Sequence, residues 1–380
     1  IQRSRGLGDV YKRQLYIGSG IGIFIGGLIV DNWNNAYPII SEAPFGLKGW
    51  QVAFMAVGIP GMLLALLTWQ IKEPPRGLSE GLISSESKNP LKETFKELVG
   101  LTPFGLVGSD NFKKELSINI IFTVLIFLAS YYLYVLTGDF LQWTAFGIGV
   151  YVICNWIHGL KNRDPVAFLL IFKSKALLLG LLSFPFITFV TYALGAFGPS
   201  FYIRNFSMTA TEVGIIYGLI TVFGSMIGVI CGGILGDKLR ETYVNGKLYL
   251  IMASAVLTGV TAIGFIHSEN LVASFTWKFV YHIASTAWLG CAASTVTELV
   301  LPRLRAVASA FFILMLSMIG LALGPYLTGM VSDIYINSGL LPGPALKNAM
   351  TLTLVVLVLP FGLLAVACKY LKNDEAEIYE

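Results

Sequence analysis

Ten apolar runs separated by polar stretches occupy most of the chain: Leu15–Val30, Gln51–Ile71, Leu116–Leu136, Leu141–Leu160, Ala176–Tyr202, Val213–Cys231, Leu248–Ile266, Leu271–Leu301, Ala306–Val331 and Met350–Tyr370. A helix crosses a bilayer core with about 20 apolar residues. Helices are also the form in which a continuous chain satisfies its own backbone in lipid. The pattern predicts an all-α, polytopic transmembrane bundle. Local signals set several boundaries. Pro74 and Pro75 stop the second run, because proline lacks the amide hydrogen a helix needs. Thr209-Ala210-Thr211-Glu212 has the Ser/Thr-x-x-Glu form of a capping box, which makes Glu212 a helix cap rather than a proton site. Gly232 to Arg240, between two nearly uncharged runs, reads as a polar turn at a membrane surface.

Basic residues decide which ends face the cytoplasm. Lys72 and Arg76, Lys113 and Lys114, Lys161 to Lys175, Lys238 to Lys247, and Arg303 with Arg305 mark the inside. Asp31–Trp50 carries few basic residues and belongs outside. Both ends of the pair Leu116–Leu136 and Leu141–Leu160 are then inside, so the pair is a hairpin turning outside at Thr137–Phe140. Leu78–Glu115 is expected to be a cytoplasmic linker with an amphipathic helix near Pro90–Val99.

Composition agrees with this picture: 55% of residues are hydrophobic and 13% charged. The net charge of +4 is a topology signal, because no basic patch interleaved with stacking aromatics exists for nucleic acid. Cys154, Cys231, Cys291 and Cys368 lie in or beside apolar runs without metal-ligand spacing and read as packing residues. No cofactor or metal is expected. Asp9-Val10-Tyr11-Lys12-Arg13-Gln14 back-translates in one frame to GATGTGTATAAGAGACAG, which resembles the transposon mosaic end of sequencing libraries. Residues 1–14 are therefore expected to be non-native read-through joined to a gene lacking its start.

The glycine-rich turn carries a resemblance. Gly233, Leu235, Gly236, Asp237 and Lys238 match the Gly-x-Leu-(Ala/Gly)-Asp-(Arg/Lys) signature of the major facilitator superfamily, with Arg240 where the family often has glycine. Gly22–Gly26 and Gly320–Gly324 form a weak internal repeat, as two homologous halves would give. Gly58-Ile59-Pro60-Gly61, Glu73-Pro74-Pro75-Arg76-Gly77, and Arg305-Ala306 through Gly324-Pro325 resemble the Spinster-like branch. The resemblance implies that 15–71 holds the last two helices of the N-terminal half, the first four family helices being absent. It makes 72–175 a linker with the inserted hairpin 116–160, 176–371 the six-helix C-terminal half, and 372–380 a cytoplasmic tail. It also implies that Asp237 docks on the helix beginning near Leu15.

Chemistry concentrates on one run. Lys278, Tyr281, His282, Ser285, Trp288, Thr295 and Glu298 recur at helical spacing, and polar groups in lipid must face a cavity or a partner. The resemblance makes this the tenth family helix, lining a central cavity with Thr188 and Tyr192 of the seventh. Tyr281, His282, Ser285, Trp288 and Thr295 are then cavity candidates, Lys278 and Glu298 coupling or gating candidates, and Gly233, Gly236, Asp237, Lys238 and Arg240 the conformational motif. The implied function is secondary active transport of a small organic or amphiphilic solute, lysolipid-like by the branch, coupled to protons or sodium, in a bacterial inner membrane. A transporter-like receptor or scaffold is the alternative. An embedded enzyme has little support, since His158, His267 and His282 lie far apart and no nucleophile neighbours a base.

Overall fold

The computed structural model describes residues 21–71, 112–163, 165–301 and 304–379, with Gly18 and isolated positions between 89 and 102. Residues 1–14, the helix start at Leu15, the basic exit after the second helix and the amphipathic segment near Pro90–Val99 lie outside the described residues. The described elements are helical: α1 (21–36), α2 (Gly49–Thr68), α3 (Phe112–Thr137), α4 (Phe140–Arg163), α5 (Pro165–Lys173) and α6 (Lys175–Phe206). They continue as α7 (Ala210–Thr242), α8 (Gly246–His267), α9 (Leu271–Glu298), α10 (Arg305–Asn337), α11 (Pro342–Ala367) and α12 (Leu371–Tyr379). Eight of these are long and apolar enough to span a membrane. The other two spans expected from the sequence are α1, short in its described part, and α9, whose polar stripe lowers its hydropathy.

Helix α7 differs from the sequence expectation. The stretch Gly232–Arg240 is not a turn; it forms the last turns of α7, and the chain reverses at Tyr243–Asn245. The reason is packing. Gly224, Gly228, Gly232 and Gly236 recur every fourth residue and form one smooth face against α9. A Cβ at these positions would meet His282, Ile283, Ala287 or Cys291. Glycine costs a helix about 1 kcal/mol relative to alanine, and here the close approach of two backbones offsets that cost. The capping box closes at the other end: Glu212 N donates to Thr209 Oγ1 at 3.2 Å, and Thr209 N donates to Glu212 Oε2 at 2.9 Å.

Helix α6 is the centre of the bundle, flanked by α10 and α11, while α9 packs against α7 and α8. Hydroxyls join the helices where lipid offers no partner. Thr328 and Thr353 share a bond of 2.8 Å between α10 and α11, and Thr286 donates to Ser225 O at 3.2 Å between α9 and α7. Proline at 325 leaves one carbonyl of the preceding turn without its amide, and the backbone widens into a π segment over Leu316–Leu321. Helix α1 leans on α7, where Asp31, expected in a loop, is helical and accepts from Thr211 N at 2.5 Å.

The hairpin α3–α4 closes over a polar ladder. Asn119 Nδ2 donates to Asn155 Oδ1 at 2.5 Å, Tyr151 Oη donates to Asn119 Oδ1 at 3.1 Å, and Asn162 Nδ2 donates to Glu115 Oε2 at 2.8 Å. His158 pairs with the same carboxylate. The hairpin lies along α10: Tyr326 Oη donates to Asp139 at 2.6 Å, and Trp156 stacks on Phe311 at 5.4 Å between ring centroids. The segment expected to be a charged tail is the helix α12. Its Asp374 accepts from Ser174 Oγ and Ala176 N at 2.8 and 2.7 Å, and its Glu375 takes both bonds of a fork from Arg240.

Candidate functional site

Helix α9 begins at Asn270, whose Oδ1 accepts from Val272 N at 2.8 Å. Its polar residues then repeat every third or fourth position, so one face meets three neighbouring helices. The structure brings Lys278, Tyr281 and His282 together in the interior between α6, α7, α8 and α9. Lys278 is 0% exposed and lies 4.1 Å from the centre of the Phe265 ring, 4.4 Å from Tyr281 and 5.0 Å from Tyr217. His282 has its Nε2 3.3 Å from Thr221 Oγ1 and its Nδ1 3.5 Å from Ser225 Oγ. The ring also meets Tyr217 edge-on at 5.8 Å. Tyr202 closes the end near the start of α9, stacked on Phe275 at 4.2 Å and bonded to Ser274 at 3.1 Å.

One turn further in, Ser285 donates to His282 O at 3.4 Å, and Trp288 Nε1 donates to Ser285 O at 3.0 Å. Trp288 is buried and stacks on Phe184 of α6 at 6.0 Å, which meets Phe312 of α10 edge-on. Thr295 is buried and bonded to Cys291 O at 2.8 Å. Glu298, at the C-terminal end of the helix, pairs with Lys247 at 2.5 Å. The two α6 candidates do not join this group. Thr188 is bonded to Pro185 O at 2.8 Å and lies against Gly320 of α10, while Tyr192 is 42% exposed on the outside of its helix.

The motif residues divide in the same way. Gly236 faces Cys291, whereas Gly233 has open space where a Cβ would stand. Asp237 and Lys238 are exposed, and Leu15, the expected partner region of Asp237, lies outside the described residues. Arg240 binds Glu375. The residues that sequence reading misses are Tyr217, Thr221, Ser225 and Phe265. The first three recur every fourth residue on α7, which was the available signal, although the glycine repeat overlaps it. A separate groove of about 300 Å³ lies in the hairpin, lined by Thr123, Phe127, Ser130, Tyr134 and Tyr151 among others.

An all-helical membrane bundle with a polar interior helix is the class these features define. The Major Facilitator Superfamily profile matches residues 14–325, and the chain belongs to that superfamily. It is similar to an MFS-type efflux pump of Mycolicibacterium smegmatis, 30% identical over 189 residues, covering 50% of this chain and 42% of that protein. It is also similar to protein spinster of Drosophila melanogaster, 26% identical over 173 residues, covering 42% of this chain and 28% of that one. The chain thus spans less than half the length of these curated relatives. Among solved structures, it superposes with a TM-score of 0.64 on a bacterial homologue of the human lysosomal transporter Spinster, inward-facing and unoccupied. That comparison has 20% identity and covers 98% of this chain and 72% of the other. The chain is thus similar to Spinster proteins over part of its sequence and to a Spinster homologue in fold.

Proposed function

We propose that the chain is part of a secondary active transporter that moves a small organic or amphiphilic solute across a bacterial plasma membrane by alternating access. In this reading α1 and α2 are the last helices of the N-terminal half, α6–α11 are the C-terminal half, and the hairpin is an insertion between them. The observation that carries it is the interior of α9. A lipid-embedded helix holding an ammonium, an imidazole and several hydroxyls inward is costly for a structural helix and suits a solute pathway. Membership of a transporter superfamily, and the names of the efflux pump and Spinster relatives, support the same class.

The test is flux. The protein with its native upstream sequence, reconstituted in liposomes, is given a radiolabelled lysophospholipid and, separately, a cationic dye of the kind efflux pumps expel. Accumulation driven by a proton or sodium gradient is expected for at least one of them. His282→Gln and Ser285→Ala should raise the apparent substrate constant by about tenfold, the scale of one lost hydrogen bond of 1.4 kcal/mol. Binding without flux under every gradient would favour the receptor reading.

A further inference from the structure

We infer that the hairpin α3–α4 is a brace on α10: it holds the loosened middle turn of that helix and so sets how readily the helix flexes during transport. The role in transport rests on the transport reading; the brace itself is measurable in the protein at rest. Helix α10 is weakest between Leu316 and Leu321, where the backbone widens into a π segment just before Pro325. Helices bend at such places, because a π turn and a proline each interrupt the regular ladder of amide bonds. A change of bend there is felt at the candidate site. Phe312, in the turn before the segment, meets Phe184 of α6 edge-on, and Phe184 stacks on the buried Trp288 of α9.

Helix α4 runs antiparallel to α10 and touches it before, within and beyond the π segment. Before it, Trp156 stacks on Phe311 at 5.4 Å. Within it, Met318 fills the space that a side chain at Gly149 would need. Beyond it, Gln142 Nε2 donates to Ala322 O at 3.4 Å, and Trp143 meets Tyr326 edge-on at 5.4 Å. Tyr326 Oη donates in turn to Asp139 at 2.6 Å. Partners taken in this order belong to two helices packed along their length rather than crossing at one point. The other side of the segment rests on α6 through Gly320 and Gly324, where a Cβ would collide with Thr188 or with the backbone of Phe189. A smooth contact of that kind permits helices to slide by small amounts, whereas the bonds from Gln142 and Asp139 pin the far end of the turn. A brace must itself be stiff. The ladder of Glu115, Asn119, Asn155 and His158 ties α3 to α4 and supplies that stiffness.

The chain in a non-ionic detergent is followed by hydrogen–deuterium exchange of its backbone amides, with α8 (Gly246–His267) as the internal reference. Gln142→Leu combined with Asp139→Ala removes both hydrogen bonds to α10. It should raise exchange over Leu316–Ala322 by about tenfold, the scale of one or two lost bonds in a local opening, while α8 exchanges as in the parent. Asp139→Asn keeps an oxygen for Tyr326 and should protect the segment as the parent does. Gly149→Leu displaces Met318 and should raise exchange there with both bonds in place. If the double variant does not fold, Gly149→Leu and the contrast between Asp139→Ala and Asp139→Asn carry the test. Parent-like exchange over Leu316–Ala322 in the loosening variants, or an equal rise in α8, overturns the proposal and leaves the hairpin as a mere neighbour of α10. In the flux assay the double variant should change the maximal uptake rate severalfold, as a changed conformational step does, and an unchanged rate beside raised exchange overturns the control of flexing. Absence of flux in the parent itself defeats the transport reading, and exchange then decides the brace alone.

Discussion

Adjacent glycines at 232 and 233 carry opposite demands. Gly232 faces the backbone of Ala287 so closely that a Cβ would collide with its carbonyl, whereas Gly233 turns to open space. Alanine at 232 should therefore push α7 from α9 and cost about 1–3 kcal/mol, the usual range for overpacking a tight contact. Alanine at 233 meets nothing and should stabilise the helix by up to about 1 kcal/mol through better helix propensity. Thermal unfolding of the two single variants checks this, and midpoints moving in the same direction would refute the assigned faces. At this scale the sequence was partly legible. The residues that define the motif were visible, but glycines next to Asp237 and Lys238 look like a turn until the partner helix is known. His282 shows the same limit: its helical face could be read, while its bonds to Thr221 and Ser225 depend on which helix lies opposite.

Among elements, the hairpin is the clearest case of a pairing foreseen from the sequence and a chemistry missed. Lysines at both ends implied that α3 and α4 leave and return on one side. The polar ladder inside was hidden, because Glu115 looked like part of the linker and His158 like an isolated residue. In the structure Glu115, Asn119, Asn155 and His158 meet across the pair. Such interhelical bonds in membranes are each worth about 0.6–2 kcal/mol. The turn, expected on the outside, gives a direct test. Gly138 sits at φ 80°, where a side chain is strained, so the better probe is Leu141, which is 81% exposed just beyond the turn. Leu141→Cys should react with an impermeant thiol reagent applied to intact cells. Labelling only after permeabilisation would put the turn inside and reverse the topology of the pair. By contrast, α9 was legible as an element, since its stripe of polar residues in an apolar run has one physical explanation in lipid, an inward-facing side.

Across the whole molecule, the last helix ties together parts of the chain far apart in sequence. Asp374 caps the N-terminus of α6 through Ser174 and Ala176, where a carboxylate also meets the positive end of the helix dipole. Its neighbour Glu375 forms a fork with Arg240 at the end of α7, with N···O distances of 2.7 and 2.6 Å. Asn245 adds a bond of 3.0 Å to Cys368 O, so the α7–α8 turn is fastened to the end of α11. Composition could announce a charged tail but not a clamp, because the partners lie more than a hundred residues away. The arrangement predicts a charge-swap result. Arg240→Glu and Glu375→Arg should each lower the unfolding midpoint, and the double variant should recover part of the loss. The pair is partly exposed, with side-chain accessibilities of 30% and 21%, so the coupling measured in a double-mutant cycle should be about 0.5–1 kcal/mol. Asp374→Ala should act separately, costing about 1 kcal/mol as a lost helix cap, and its effect should persist in the swapped background. A cycle with no coupling between positions 240 and 375 would mean that α12 is held through Asp374 and not through the arginine of the motif.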